Sequence, residues 1–278
     1  MTVLHRIALA AAFMLTALSV NAAERIPDGV VIQGDNDIRR AWLSAPTDRY
    51  AHGALGDEIE AGALSVELQD GTLLTLTLPA DAVFEDRYPR LADLDGDGRD
   101  EMVVIKSTQS QGATLVIAGV RDGVLIILAE GQPIGRANRW LNPVGFGDFD
   151  NDGQIELAYV ETPHIGGTLR IVKWQGDALV QAYAARGFSN HALGTRELHL
   201  SIVADMNGDG VSDLVVADSQ RTTLRIVTFN TGQFTELSRL KLDAPLVRLH
   251  ISKTNPHSLS AHLANGDTVN VPLKSETE

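Results

Sequence analysis

The feature that most restricts the fold is a nine-residue acidic pattern that returns at a near-constant interval. "DLDGDGRDE" begins at Asp93, "DFDNDGQIE" at Asp148 and "DMNGDGVSD" at Asp205, 55 and 57 residues apart. An interval of this length marks stacked structural units, each of which buries its apolar surface against the next copy. The segments after each loop repeat as well. A short β-prone run comes first ("MVVIKS", "LAYVET", "LVVADS"), then a second ("TLVIAGV", "TLRIVKW", "TLRIVTF") and a third ("VLIILAE", "ALVQAYAA", "FTELSRLKL"). A fourth leads into the next unit ("PVGFGDF", "HLSIVADM", "LVRLHIS"). Four short strands per unit of about 56 residues is the pattern of a β-propeller blade, so the expected fold class is all-β, a propeller of four-stranded blades.

The flanks read as worn copies of the same unit. "GDNDIRRAWLSA" lies 58 residues upstream of the first loop, and hairpins are expected around Asp70-Gly71 and Asn265-Gly266. Residues 23–278 are read as one propeller domain, with clear units near 93–147, 148–204 and 205–252. At this period they make about five blades, and the ring is expected to close by pairing strands from both ends.

Residues 1–22 read as a secretory leader: Arg6 precedes an apolar run from Ile7 to Val20, and small residues follow at Ala22 and Ala23. The run is too short to span a bilayer, so a periplasmic or secreted protein without a transmembrane segment is expected. There is no cysteine and hence no disulfide framework. The formal net charge of −13 makes nucleic acid and anionic membranes poor partners for the molecule as a whole.

In each acidic loop positions 1, 3, 5 and 9 offer side-chain oxygens and position 7 can offer a carbonyl. The first set is Asp93, Asp95, Asp97, Arg99 and Glu101, the second Asp148, Asp150, Asp152, Gln154 and Glu156, and the third Asp205, Asn207, Asp209, Val211 and Asp213. A helix-loop-helix calcium site needs a bidentate Glu at position 12, but Val104, Tyr159 and Val216 stand there, inside β-prone runs. A strand-to-strand calcium loop fits instead, with about three Ca2+ sites in all, because four oxyanions a few ångströms apart repel unless a cation offsets them. Asn207 removes one charge from the third loop, so that site is expected to be the weakest.

With their D-x-[DN]-x-D-G-x-x-[DE] loops and following apolar strands, the units resemble the FG-GAP/VCBS repeats of integrin-type β-propellers over roughly 89–252. The resemblance implies calcium between the first and second strands of a blade and ligand contacts on the opposite face.

Connections on that opposite face gather cations and rings in an otherwise acidic chain. Arg49, His52, Arg136, Arg139, Trp140, His164, His191 and Arg196 are the candidate ligand-binding residues, with Arg87 and Arg221 nearby and Tyr50 or Trp140 as a stacking face. The leading expectation is a non-enzymatic interaction module for a protein or glycan partner, possibly anionic. The alternative is an enzyme acting on an anionic saccharide or small metabolite, for which His164 beside Glu161 and His191 with Glu197 are the acid–base pairs to examine.

Overall fold

The apolar runs after the acidic loops fold as strands with few exposed positions, because a blade is covered by a neighbour on either side and its middle strands meet little water. In a computed structural model, residues 24–251 and 259–271 are described. The expected leader, residues 1–22, lies outside the described residues. The first blade is β1 (Ile32–Gln33), β2 (Ile38–Thr47), β3 (Glu60–Leu68) and β4 (Leu73–Thr77). In the second, β5 (Ala82–Phe84) and β6 (Arg90–Ala92) precede β7 (Glu101–Thr108), β8 (Gly112–Arg121) and β9 (Val124–Glu130). The third is β10 (Leu141–Gly147), β11 (Glu156–Glu161), β12 (Thr168–Gln175) and β13 (Ala178–Arg186). The fourth is β14 (Phe188–Ser189), β15 (Ser201–Ala204), β16 (Asp213–Asp218), β17 (Thr223–Thr228) and β18 (Thr235–Lys241); the fifth is β19 (Leu246–Ile251), β20 (Leu259–Leu263) and β21 (Thr268–Val271).

Within each blade, strands pair antiparallel in sequence order, except that β5 and β6 both pair with β7, and β14 and β15 both with β16. The strands are those expected from the repeat, and no α-helix occurs among the described residues. None of their helices is long and apolar enough to cross a membrane. Four apolar clusters fill the spaces between successive blades: first and second, second and third, third and fourth, fourth and fifth. Outer strands such as β13 and β18 are largely exposed, whereas β8 is buried over nearly its whole length.

Two features depart from the expected blade. First, the entering strand is split in three blades. β5 pairs with one end of β7 and β6 with the other, so 85–89 leave the sheet between them. β14 and β15 flank 190–200 in the same way along β16. In the first blade Ile26 and Ala45 bond to Leu43 and Glu24, and Ile32–Gln33 resume beside Arg40 and Ala41. Second, the ends do not pair: among the described residues β1 pairs only with β2 and β21 only with β20. The N-terminal segment is already spent as the split entering strand of the first blade, so it cannot complete the fifth.

Turns between second and third strands press against the chain entering the next blade. A Cβ on Gly112 would lie 2.1 Å from the Arg136 carbonyl oxygen, and one on Gly167 only 1.6 Å from that of Phe188. Gly167→Ala should therefore lower stability by roughly 3 kcal/mol through backbone overpacking. Gly166→Ala, at positive φ but in open space, should cost about 1 kcal/mol. Urea denaturation of both variants checks this; equal losses would contradict the close approach.

Candidate functional site

The three acidic loops are built alike from carboxylate-to-amide hydrogen bonds. Asp93 accepts from the amides of Gly96 (2.7 Å) and Gly98 (2.9 Å), Asp148 from Asp152 (3.0 Å) and Gly153 (2.9 Å), and Asp205 from Gly208 (2.7 Å) and Gly210 (2.8 Å). At position 5, Asp97, Asp152 and Asp209 each accept the amide of the seventh residue, Arg99, Gln154 or Val211, at 2.9 Å. The ninth carboxylate is fully buried and accepts the amide of position 2: Leu94 to Glu101 (3.0 Å), Phe149 to Glu156 (2.8 Å), Met206 to Asp213 (2.9 Å).

These donors fit a divalent cation. Asp93, Asp95 and Glu101 bring ligand oxygens within 4.8 Å of one another, as do Asp148, Asp150 and Glu156; the third loop, with Asn207 at position 3, does not bring three carboxylates together in this way. Asp150 Oδ1, Glu156 Oε1 and Asp213 Oδ1 are buried without a hydrogen-bond partner, and burial pushes Glu101, Glu156 and Asp213 above the usual carboxylate range. A buried carboxylate in that condition calls for a positive charge. The worn copy in the first blade serves differently: Asn36 donates to Asp100 (2.9 Å) and the Asp100 amide donates to Asp37 (2.8 Å), tying its loop to that of the second blade.

On the opposite face a cavity of about 230 Å³ is lined by His52, Asn138, Arg139, Trp140, Thr162, His164, Ile165 and Leu193. Glu85, at the start of the first excursion and fully buried, organises one wall. It takes His52 Nδ1 at 2.5 Å and the Ser107 hydroxyl at 2.5 Å, while its carbonyl accepts Trp140 Nε1 at 2.9 Å. His164 Nε2 lies 2.8 Å from His191 Nδ1, and its ring stacks on Trp140 with centroids 5.9 Å apart. Desolvation, then the neighbouring ring, lowers the pKa of His164 to about 3; desolvation lowers that of His191 to about 4. Both rings are neutral at ordinary pH.

Of the candidate ligand-binding residues, His52, Arg139, Trp140 and His164 line one cavity, and His191 stands directly behind His164. Arg136 is exposed at its edge of the fold. Arg49 donates to the Ala82 carbonyl, Arg196 pairs with Asp28 (3.1 Å) and Asp57 (2.6 Å), and Arg87 pairs with Asp28 (3.3 Å), so these three brace loops. The proposed acid–base pairs are not formed. Glu161 binds Arg170 (2.8 Å), and Glu197 binds His199 (3.0 Å) and Arg248 (2.6 Å), leaving the two histidines to each other. Neither aromatic offers a free stacking face, since Trp140 is 2% and Tyr50 9% exposed. Sequence reasoning missed Ile165, Leu193 and Glu60; an apolar residue in a polar turn was the signal available for the first two. A second cavity, about 480 Å³, lies on the acidic face between the first two loops, with Trp174 and Gln154 in its wall. It is an open groove between acidic loops and gathers none of the histidines.

An FG-GAP-like repeat model matches residues 93–159, from the first acidic loop into β11. No curated protein sequence matches the chain. Among solved structures, the exotype rhamnogalacturonan lyase YesX is similar at 14% identity and a TM-score of 0.44, over 91% of this chain and 57% of that one. A Bacillus licheniformis rhamnogalacturonan lyase is similar at 20% and 0.40, over 76% and 44%. The WD40 domain of Toxoplasma gondii coronin is similar at 12% and 0.40, over 85% and 60%. The chain thus spans about half the length of the two lyases.

Glu60, at the start of β3, is 3% exposed and sits near Glu85; burial, then the Glu85 charge, pushes its pKa up to about 9. The folded state therefore keeps a proton that the unfolded chain gives up, and this contribution to stability is lost as pH rises from about 4.5 to about 9. Glu60→Gln mimics the protonated form, so it should raise the melting temperature at pH 8 markedly more than at pH 5. An equal offset at both pH values would contradict a protonated Glu60.

Proposed function

We propose that the protein is a binding module acting outside the cytoplasm, which holds a polypeptide partner on the loop face opposite its acidic loops and uses calcium on the acidic face as scaffold. One observation carries this reading: Leu193 (65%) and Ile165 (62%) are the most exposed large apolar side chains among the described residues, and both line the cavity around His164. Isolated exposed apolar groups are ordinary on a surface, but paired ones at the rim of a cavity suit a docking partner. Arg139 in the wall and the exposed Arg136 nearby suit a partner that sets a carboxylate beside its apolar side chain.

A polypeptide is favoured over a glycan because the rings a sugar would stack on, Trp140 and Tyr50, are buried. Acid–base catalysis finds little support here, since His164 and His191 are bonded to each other and stay neutral. The calcium assignment rests on an all-oxygen donor set rich in carboxylates, which suits a hard cation.

A photo-crosslinking residue placed at Leu193 or Ile165 in the native host should give a discrete protein adduct, whereas one at Gln154 on the acidic face should not. Leu193→Asp should lower the yield from position 165 at least tenfold. Adducts formed only at position 154, or none that Leu193→Asp affects, would overturn the assignment of the face.

A further inference from the structure

The three acidic loops share their backbone but differ in what faces the buried ninth carboxylate. In the third blade, Glu156 stands opposite Lys173 in the β11–β12 register. Lys173 Nζ lies 2.8 Å from Asp150, 2.5 Å from Asp152 and 3.4 Å from Glu156, in the middle of the carboxylates that would surround an ion. In the second blade the residue opposite Glu101 is Gly119, which leaves the place clear. Arg121, two residues on and therefore on the same face of β8, reaches into it, 2.9 Å from Glu101, 3.3 Å from Asp95 and 3.8 Å from Asp97.

The fourth blade has no such side chain. The β16–β17 register, in which Leu214 faces Val227, sets Thr228 opposite Asp213, and among the described residues no Lys, Arg or His pairs with Asp205, Asp209 or Asp213. Asn230 supplies only a neutral amide to Asp209, at 3.2 Å. Asp213 is fully buried, and its Oδ1 has no hydrogen-bond partner in good geometry, although the Thr228 hydroxyl bears on it. Like the third-blade loop it has an orphaned buried oxygen, but unlike that loop it has no internal cation.

We propose that Lys173 and Arg121 are tethered counter-ions which occupy the divalent-cation positions of the third and second blades, leaving the fourth blade as the calcium-binding loop. An ammonium or guanidinium held on the neighbouring strand neutralises the carboxylates without a binding event and must be displaced before a metal can enter. A divalent ion would also meet the repulsion of that displaced cation a few ångströms away. Counting charges along the sequence ranks the Asn207 loop as the weakest site. The positions of the basic side chains reverse that order, because the other two loops carry their own cations.

The inference rests on calcium being the ion of these loops, and a reciprocal swap separates the two claims. Calcium binding is followed by isothermal titration with calcium chloride on the chelator-treated protein. The wild type should bind one ion per chain tightly. Lys173→Thr, which copies the fourth blade into the third, should add a second ion with a dissociation constant at least tenfold below any second site of the wild type. Thr228→Lys, which copies the third blade into the fourth, should abolish the tight site and make the melting temperature indifferent to chelator. Two or three tight ions in the wild type, or tight binding that survives Thr228→Lys, would overturn the tethered-cation assignment and leave calcium standing. No calcium bound by the wild type or by Lys173→Thr would overturn both. If Lys173→Thr fails to fold, Thr228→Lys alone decides, because it adds a counter-charge to a loop that lacks one.

Discussion

The structure depends on a buried carboxylate bonded to a backbone amide at the corner of each acidic blade. Glu101, Glu156 and Asp213 each sit at the start of a blade's second strand and accept the amide of the second residue after the first strand. That bond fixes how the chain turns from one strand into the next, and it places an anion where no water reaches it. Burying such a charge is tolerable only with a positive partner close by. The local geometry of a blade and its requirement for a cation are therefore one constraint.

The same constraint divides the molecule into two faces. The acidic loops use their carboxylates on their own amides and, in the second and third blades, on the side chains of Arg121 and Lys173. On the other side, the split entering strands let 85–89 and 190–200 leave their sheets. Those excursions bring Glu85, His191 and Leu193 to the cavity around Trp140 and His164. The Asn142 amide donates to the Asn190 carbonyl (3.1 Å) and the Asn190 amide to the Asn142 carbonyl (3.0 Å), holding the second excursion to the third blade. The cavity is thus built on rigid strands although its lining comes from loops.

Much of the architecture was legible because period and loop chemistry agree: the spacing of Asp93, Asp148 and Asp205 places the strands, and Val104, Tyr159 and Val216 at the twelfth positions exclude a helix-loop-helix. Other features were hidden because they depend on pairing across sequence. The split of an entering strand leaves no local mark, since β14 and β15 together read as one polar connection ending in a β-prone run. The arginines were overvalued as ligand groups because sequence does not show that Asp28 and Asp57 already hold Arg196. Lys173 and Arg121 lay unremarked in strands that looked like ordinary blade strands; only the register sets them opposite the acidic loops.

Hydrogen exchange at the amides of Leu94, Phe149 and Met206, measured with calcium and again with chelator, tests the dependence of each corner on its own cation most directly. Protection at Met206 should fall on chelation, while Leu94 and Phe149, whose carboxylates are held by Arg121 and Lys173, should keep theirs. A parallel loss at all three amides, or no loss at any of them, would contradict a structure in which each buried carboxylate is balanced by its own separate charge.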